Sequence, residues 1–239
     1  MERIAVKVCG MRDADNIRAV SELDIDMMGF IFWPRSPRFV RMISSSAGII
    51  PDYSAERLKT QIGKVDDAAA ALRGIKRVGV FVDDMPQNIV TRTYNYSLDY
   101  IQLHGDEPRE TCENIRATID PDIHPGIRII KAISISDPRD LDRCRDYAGV
   151  VDLFLFDTRC STVGGSGMPF DWHILDAYDG DIPFLLSGGI GPESAARVKA
   201  FSHPRFVGVD LNSRFETSPG VKDVALLRTF INEIRNENE

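Results

Sequence analysis

Eight short apolar runs follow one another along the chain, each separated from the next by a stretch with helical spacing. They cover 4–9, 26–32, 76–82, 98–103, 127–134, 152–156, 182–186 and 205–209 and are dense in Val, Ile, Leu and Phe. Apolar residues at successive positions mark strands that are covered on both faces. Helix starts lie between them. Asp84 to Pro86, Asp106-Glu107-Pro108 and Ser136-Asp137-Pro138 each place a proline in or beside a first turn. Val224, Leu227, Ile231 and Ile234 form one apolar stripe of a final helix. Eight strand-to-helix units in 239 residues predict an α/β chain. The expected fold is a single (β/α)8 barrel of the TIM type over 1–239. The alternative is an open doubly wound sheet, but Val8-Cys9-Gly10-Met11 does not match the G-x-G-x-x-G of a dinucleotide site. Residues 44–75 hold more chain than one loop and helix require. They are expected to add an insertion near the second barrel helix, with helical pieces at 54–62 and 66–73.

A net charge of -7 argues against nucleic acid and anionic membranes as partners, though not against a small anion held by local groups. Met1-Glu2-Arg3-Ile4 lacks the apolar stretch of a signal peptide. No apolar run approaches the roughly 20 residues of a membrane span. The expectation is therefore a cytoplasmic protein. Its cysteines, Cys9, Cys112, Cys144 and Cys160, include no C-x-x-C pair. No zinc site is expected, and the thiols should be free. The oligomeric state is left open.

Strand side chains alternate, so residues two apart share a face. If Val6 and Val8 pack against helices, Lys7 and Cys9 face the barrel interior. The same reasoning turns Leu155 and Asp157, Gln102 and His104, and Gly208 and Asp210 inward, with Lys131 as a further candidate. These polar residues stand near the carboxyl ends of their strands, the rim where barrel enzymes keep their active sites. Lys7 and Asp210 are also candidates for a buried ion pair. A thiol at Cys9 and a carboxyl at Asp157 on one rim are a candidate base and acid. Two loops suit a phosphate. Ser187-Gly188-Gly189-Ile190-Gly191-Pro192 follows the seventh strand, and Asp210-Leu211-Asn212-Ser213 follows the eighth. Glycines let backbone N–H groups approach an oxyanion closely. A third flexible loop, Gly164-Gly165-Ser166-Gly167, lies close in sequence to Asp157. Arg38, in Pro34-Arg35-Ser36-Pro37-Arg38, could grip a carboxylate with two parallel hydrogen bonds.

Taken together, a series of motifs resembles the phosphoribosylanthranilate isomerase family. It runs Lys7-Val8-Cys9-Gly10, Gly29-Phe30-Ile31-Phe32, Ser36-Pro37-Arg38, Val78-Gly79-Val80-Phe81-Val82, Gln102-Leu103-His104-Gly105 and Phe156-Asp157-Thr158. It continues with Gly164-Gly165-Ser166-Gly167, Phe170-Asp171-Trp172, Leu186-Ser187-Gly188-Gly189 and Gly208-Val209-Asp210. The match runs in order from about residue 4 to 235. The resemblance implies a step of tryptophan biosynthesis: N-(5-phosphoribosyl)anthranilate becomes 1-(2-carboxyphenylamino)-1-deoxyribulose 5-phosphate by an Amadori rearrangement. It implies a small phosphosugar substrate and no cofactor or metal. It also implies Cys9 as general base, Asp157 as general acid and Arg38 as the clamp on the anthranilate carboxylate. Gly188, Gly189, Asn212 and Ser213 would hold the phosphate, with Lys7, His104, Asp210 and Gly165 in support. The turn after the eighth strand departs from the family's Ser-Ser-Gly pattern, with Arg214 in place of the glycine.

A base at Cys9 must be a thiolate, so something must lower its pKa. Lys7 and the start of the first helix are the candidates. Burial at the rim is expected to raise the pKa of Asp157 and keep a proton on it. Two other readings remain. An indole-glycerol-phosphate synthase-like enzyme would use a lysine as its main acid, for which Lys7 and Lys131 are available. A silent phosphate-binding module would have no use for the thiol and the carboxyl together.

Overall fold

The structure, a computed structural model, describes residues 3–40, 74–120, 122–158 and 171–235. Most of the expected insertion, Cys160 and the loop Gly164 to Gly167 lie outside the described residues. Eight strands pair in parallel and in chain order to close a barrel. They are β1 (Ala5–Cys9), β2 (Met27–Ile31), β3 (Lys76–Phe81), β4 (Tyr100–Leu103), β5 (Arg128–Ile135), β6 (Leu153–Thr158), β7 (Phe184–Ser187) and β8 (Phe206–Leu211). Each falls on one of the eight apolar runs. Around them lie α1 (Ala14–Ser21), α2 (Pro86–Tyr96), α3 (Arg109–Ile119), α4 (Ala195–Ala200) and α5 (Val224–Arg235). After β8 a short hairpin, β9 (Glu216–Ser218) and β10 (Val221–Lys222), precedes α5. No helix among the described residues is long and apolar enough to cross a membrane.

Two of the outer connections are 3₁₀ turns rather than α-helices: Pro138–Tyr147 and Trp172–Ala177. The first begins as the Ser-Asp-Pro sequence suggests, with Asp137 and Asp140 forming a reciprocal capping box. Its polar composition gives little α-helical drive, so packing of Leu141, Cys144 and Tyr147 against the barrel defines it.

Alternation sorts the strands as the sequence suggests. Val6, Val8, Phe154, Phe156, Leu186 and Val209 belong to the apolar layer between barrel and helices. Tyr100, Ile130, Leu153, Leu155 and Leu185 fill the barrel itself. Phe156 lies tilted against Phe184 at 4.7 Å and meets Tyr178 edge-on at 5.3 Å, ring centre to ring centre. Such pairs contribute about 0.5–1.5 kcal/mol each beyond burial. They lock the outer face of β6, and that fixes Leu155 and Asp157 on its inner face.

Lys131 is a correction. Its neighbours Ile130 and Ala132 point into the barrel, so Lys131 points outward. There its ammonium bonds the Gly105 carbonyl at 2.6 Å and Glu107 Oε2 at 2.9 Å, over the Tyr147 ring. Glu107 also accepts from the backbone N–H groups of Asp83 and Gly105. A fully satisfied buried pair of this kind ties the β4–α3 loop to its neighbours. Lys131 is therefore absent from the inner rim.

Candidate active site

Cys9 is the last residue of β1, and Asp157 is the penultimate residue of β6. Both lie at the carboxyl rim and on the inner face, and they are 3% and 7% exposed. A thiol and a carboxyl therefore face one mouth. Between them runs a chain of polar contacts set by strand register. Lys7 on β1 is the register partner of Asp210 on β8, and its Nζ lies 2.7 Å from Asp210 Oδ1. Ser187 Oγ at the end of β7 donates to Asp210 Oδ2 at 3.3 Å, and Ser187 is in register with Asp157. Across the mouth, His104 Nε2 stands 3.8 Å from Asp157 Oδ2. The Gln102 amide donates to His104 Nδ1 at 2.9 Å. That bond leaves the ring proton on Nε2, facing the carboxylate.

The electrostatics of Cys9 differ from the simplest expectation. Burial pushes the thiol up, and Asp210 adds to that. Lys7 and Lys222 pull it down, but the balance lies above the ordinary thiol value. Lys7 is thus one of the lowering groups foreseen, but not sufficient alone. The first helix is not the other. It begins at Ala14, and its N-terminus is already capped by the Asp13 carboxylate, which accepts from the Asn16 N–H. Burial opposes the charge on Lys7, but Asp210 and, once ionised, Cys9 outweigh it and hold the ammonium above its ordinary value. Beneath the thiol lies a buried Lys7–Asp210 ion pair.

Arg38 reaches the same mouth from the loop after β2. Glu216 on β9 takes its Nε–Nη2 edge at 2.8 and 2.5 Å. Glu216 Oε1 also accepts from Lys222 Nζ at 2.6 Å, and Lys222 Nζ reaches Asn212 Oδ1 at 2.8 Å. Sequence reasoning missed Glu216 and Lys222. The available signal was the turn sequence Thr217-Ser218-Pro219-Gly220, which marks a hairpin and would set charged residues on either side of it together.

The phosphate candidates sit on adjacent loops. Gly188 and Gly189 follow β7 with φ of +91° and +67°. A side chain at Gly188 would run into the Thr158 carbonyl at 2.2 Å, so only glycine fits this turn. The turn leads through Pro192–Ser194 into α4. Asn212 and Ser213 follow β8. The Asn212 side chain is taken by Lys222, and Ser213 is exposed at the start of a 3₁₀ turn. Arg214 of that turn bridges to Glu193 of the β7 loop at 2.7 Å, so the two loops are tied together. Gly165 lies outside the described residues.

Residues 41–233 match the family described as N-(5'phosphoribosyl)anthranilate (PRA) isomerase. The N-(5'-phosphoribosyl)anthranilate isomerase of Parabacteroides distasonis is 44% identical over 229 residues, covering 96% of this chain and 92% of that protein. The crystal structure of the phosphoribosyl anthranilate isomerase of Thermotoga maritima superposes with a TM-score of 0.71 at 30% identity, covering 97% of this chain and 98% of that one. A phosphoribosyl anthranilate isomerase crystallised with reduced 1-(o-carboxyphenylamino)-1-deoxyribulose 5-phosphate superposes with a TM-score of 0.70 at 28% identity, covering 97% and 98%.

Proposed function

We propose, since this chain belongs to the N-(5'-phosphoribosyl)anthranilate isomerase family and is an isomerase of tryptophan biosynthesis, that Cys9 and Asp157 are its general base and general acid. The observation that carries this reading is their placement on one inner rim, beside glycine-rich loops suited to a phosphate. The protein works as one barrel over 1–239, on a small phosphosugar. Asp157 donates a proton to the furanose ring oxygen, and the ring opens to a Schiff base. The iminium acidifies the adjacent sugar C–H. Cys9 removes that proton as thiolate, and the enolamine tautomerises to the ketone. The turn at Gly188 and Gly189 and the backbone at Asn212 and Ser213 hold the phosphate. His104 faces Asp157 and steadies its carboxylate once the proton has left.

The raised thiol is compatible with this chemistry. A protonated Asp157 with a Cys9 thiolate carries the same number of protons as an ionised Asp157 with a Cys9 thiol. The ratio of these two forms does not change with pH. A high thiol pKa therefore lowers the productive share without narrowing the pH range, and on the alkaline side turnover falls only above the thiol's own pKa.

The reading is tested by mixing the purified protein with freshly made N-(5-phosphoribosyl)anthranilate and following anthranilate fluorescence. Enzyme-dependent loss of fluorescence is expected, and an unchanged decay overturns it. We assign the Nη1 side of the Arg38 fork to the substrate carboxylate, with Glu216 holding the other edge. Arg38→Ala is expected to raise KM about 10- to 100-fold, the worth of one charge-assisted contact, with a smaller effect on kcat. An unchanged KM removes Arg38 as the clamp.

A further inference from the structure

Lys222 is an unusual residue to find in a two-residue strand. Its side chain has no exposure at all. Both of its backbone polar groups are tied to one buried side chain: Asn16 on α1 accepts from its N–H at 2.7 Å and donates to its carbonyl at 2.9 Å. Its ammonium bridges Glu216 and Asn212. Asn212 Oδ1 lies 2.7 Å from where a Gly10 side chain would begin, directly after Cys9. Burying a lysine this fully is costly unless its charge is wanted.

A charge count shows what that charge does. The charged groups coupled to Cys9 are Lys7 from β1, Asp210 from β8, Arg38 from the β2 loop and Lys222 from β10, with Glu216 from β9 between the last two and Asp157 and His104 across the mouth. Asp210 is answered by Lys7 at 2.7 Å. Glu216 is shared between Arg38 and Lys222. On this side of the mouth of the free enzyme, three cations thus stand against two carboxylates, and a thiolate at Cys9 would close the sum.

We propose that Lys222 is a positioning residue for the Cys9 thiolate, held in place by Glu216, Asn212 and Asn16. It touches neither substrate nor reacting atoms on this reading; it supplies the unmatched positive charge against which the thiol ionises. The coupling runs both ways, since burial and Arg38 depress Lys222 while Glu216 and an ionised Cys9 support it. The inference rests on Cys9 as the base for its catalytic meaning, but the coupling itself can be measured on the thiol alone.

The test is the pH dependence of Cys9 alkylation by iodoacetamide in the full-length protein, read peptide by peptide in a mass spectrometer. Lys222→Met is expected to move the midpoint of that titration up by about one unit, the lower end of what a neighbouring charge contributes. Lys222→Arg should restore much of it. In turnover, the upper limb of kcat/KM against pH should move with the thiol, while the plateau falls about tenfold. An unmoved midpoint in a folded Lys222→Met variant overturns the proposal. Should that variant fail to fold, Lys222→Gln decides. It keeps a polar head toward Glu216 and Asn212 but removes the positive charge, so the midpoint must move up, and no movement or a downward one is equally fatal. A shifted midpoint in Lys222→Met together with a fully active Cys9→Ser variant would sink the base assignment and leave the coupling standing.

Discussion

Asp157→Asn is expected to fold as the unaltered protein does and to turn over its substrate about a thousandfold more slowly, within the range for loss of a general acid. The amide is almost isosteric with the carboxyl. It can still meet His104, 3.8 Å away, so the barrel should keep its fold. What disappears is a transferable proton at the one place where the ring oxygen must receive it. The loss should appear in kcat and kcat/KM alike, because the interaction is made on the way to ring opening and not in the bound ground state. Circular dichroism and an unfolding curve check the fold, and fluorescence turnover checks the rate. A folded variant that keeps most of its kcat removes Asp157 as the acid.

Cys9→Ser is the second large effect. Oxygen is smaller than sulfur, but the residue is 3% exposed at the end of a rigid strand, so the backbone geometry is retained. A hydroxyl, however, is a far weaker acid than a thiol and is almost never ionised near neutral pH. The charge surplus supplied by Lys7, Arg38 and Lys222 cannot make up that difference. A fall in kcat of about a thousandfold is expected, with KM little changed. In the pH–rate profile the high-pH limb that belongs to the thiol should vanish from the residual activity. A serine variant that retains this limb, or the rate, contradicts the assignment of Cys9 as base.

Much of this site could be read from the chain because strands obey a strict period. Once Val6 and Val8 are taken as outward, Lys7 and Cys9 must be inward. Lys7 then meets Asp210 from the strand that closes the ring, as the 2.7 Å ion pair bears out. Lys131 shows where the same reasoning fails. Arg128–Ile135 is apolar on both faces, so the pattern alone does not say which alternate set points in. The loop contacts to Gly105 and Glu107 decide it, and loops carry no period. Glu216 and Lys222 were hidden for a related reason. Their meaning depends on where a hairpin lies against the loop after β2 and against α1, which no local pattern encodes. The raised state of the thiol was also out of reach, because it is a balance between burial and several charges rather than the gift of one neighbour.

The contacts that shape the thiol's surroundings join residues far apart in the chain. Lys7 to Asp210 spans 203 positions, and Asn16 to Lys222 spans 206. Until residue 222 has been made, Cys9 is thus an ordinary cysteine on an unfinished sheet, without the full set of its lysine and carboxylate partners. Catalytic competence waits for ring closure, since such distant pairings form slowly. A nascent chain stalled before residue 206 would carry a bare, oxidisable sulfur and no activity, and degradation of such fragments costs the cell no working enzyme.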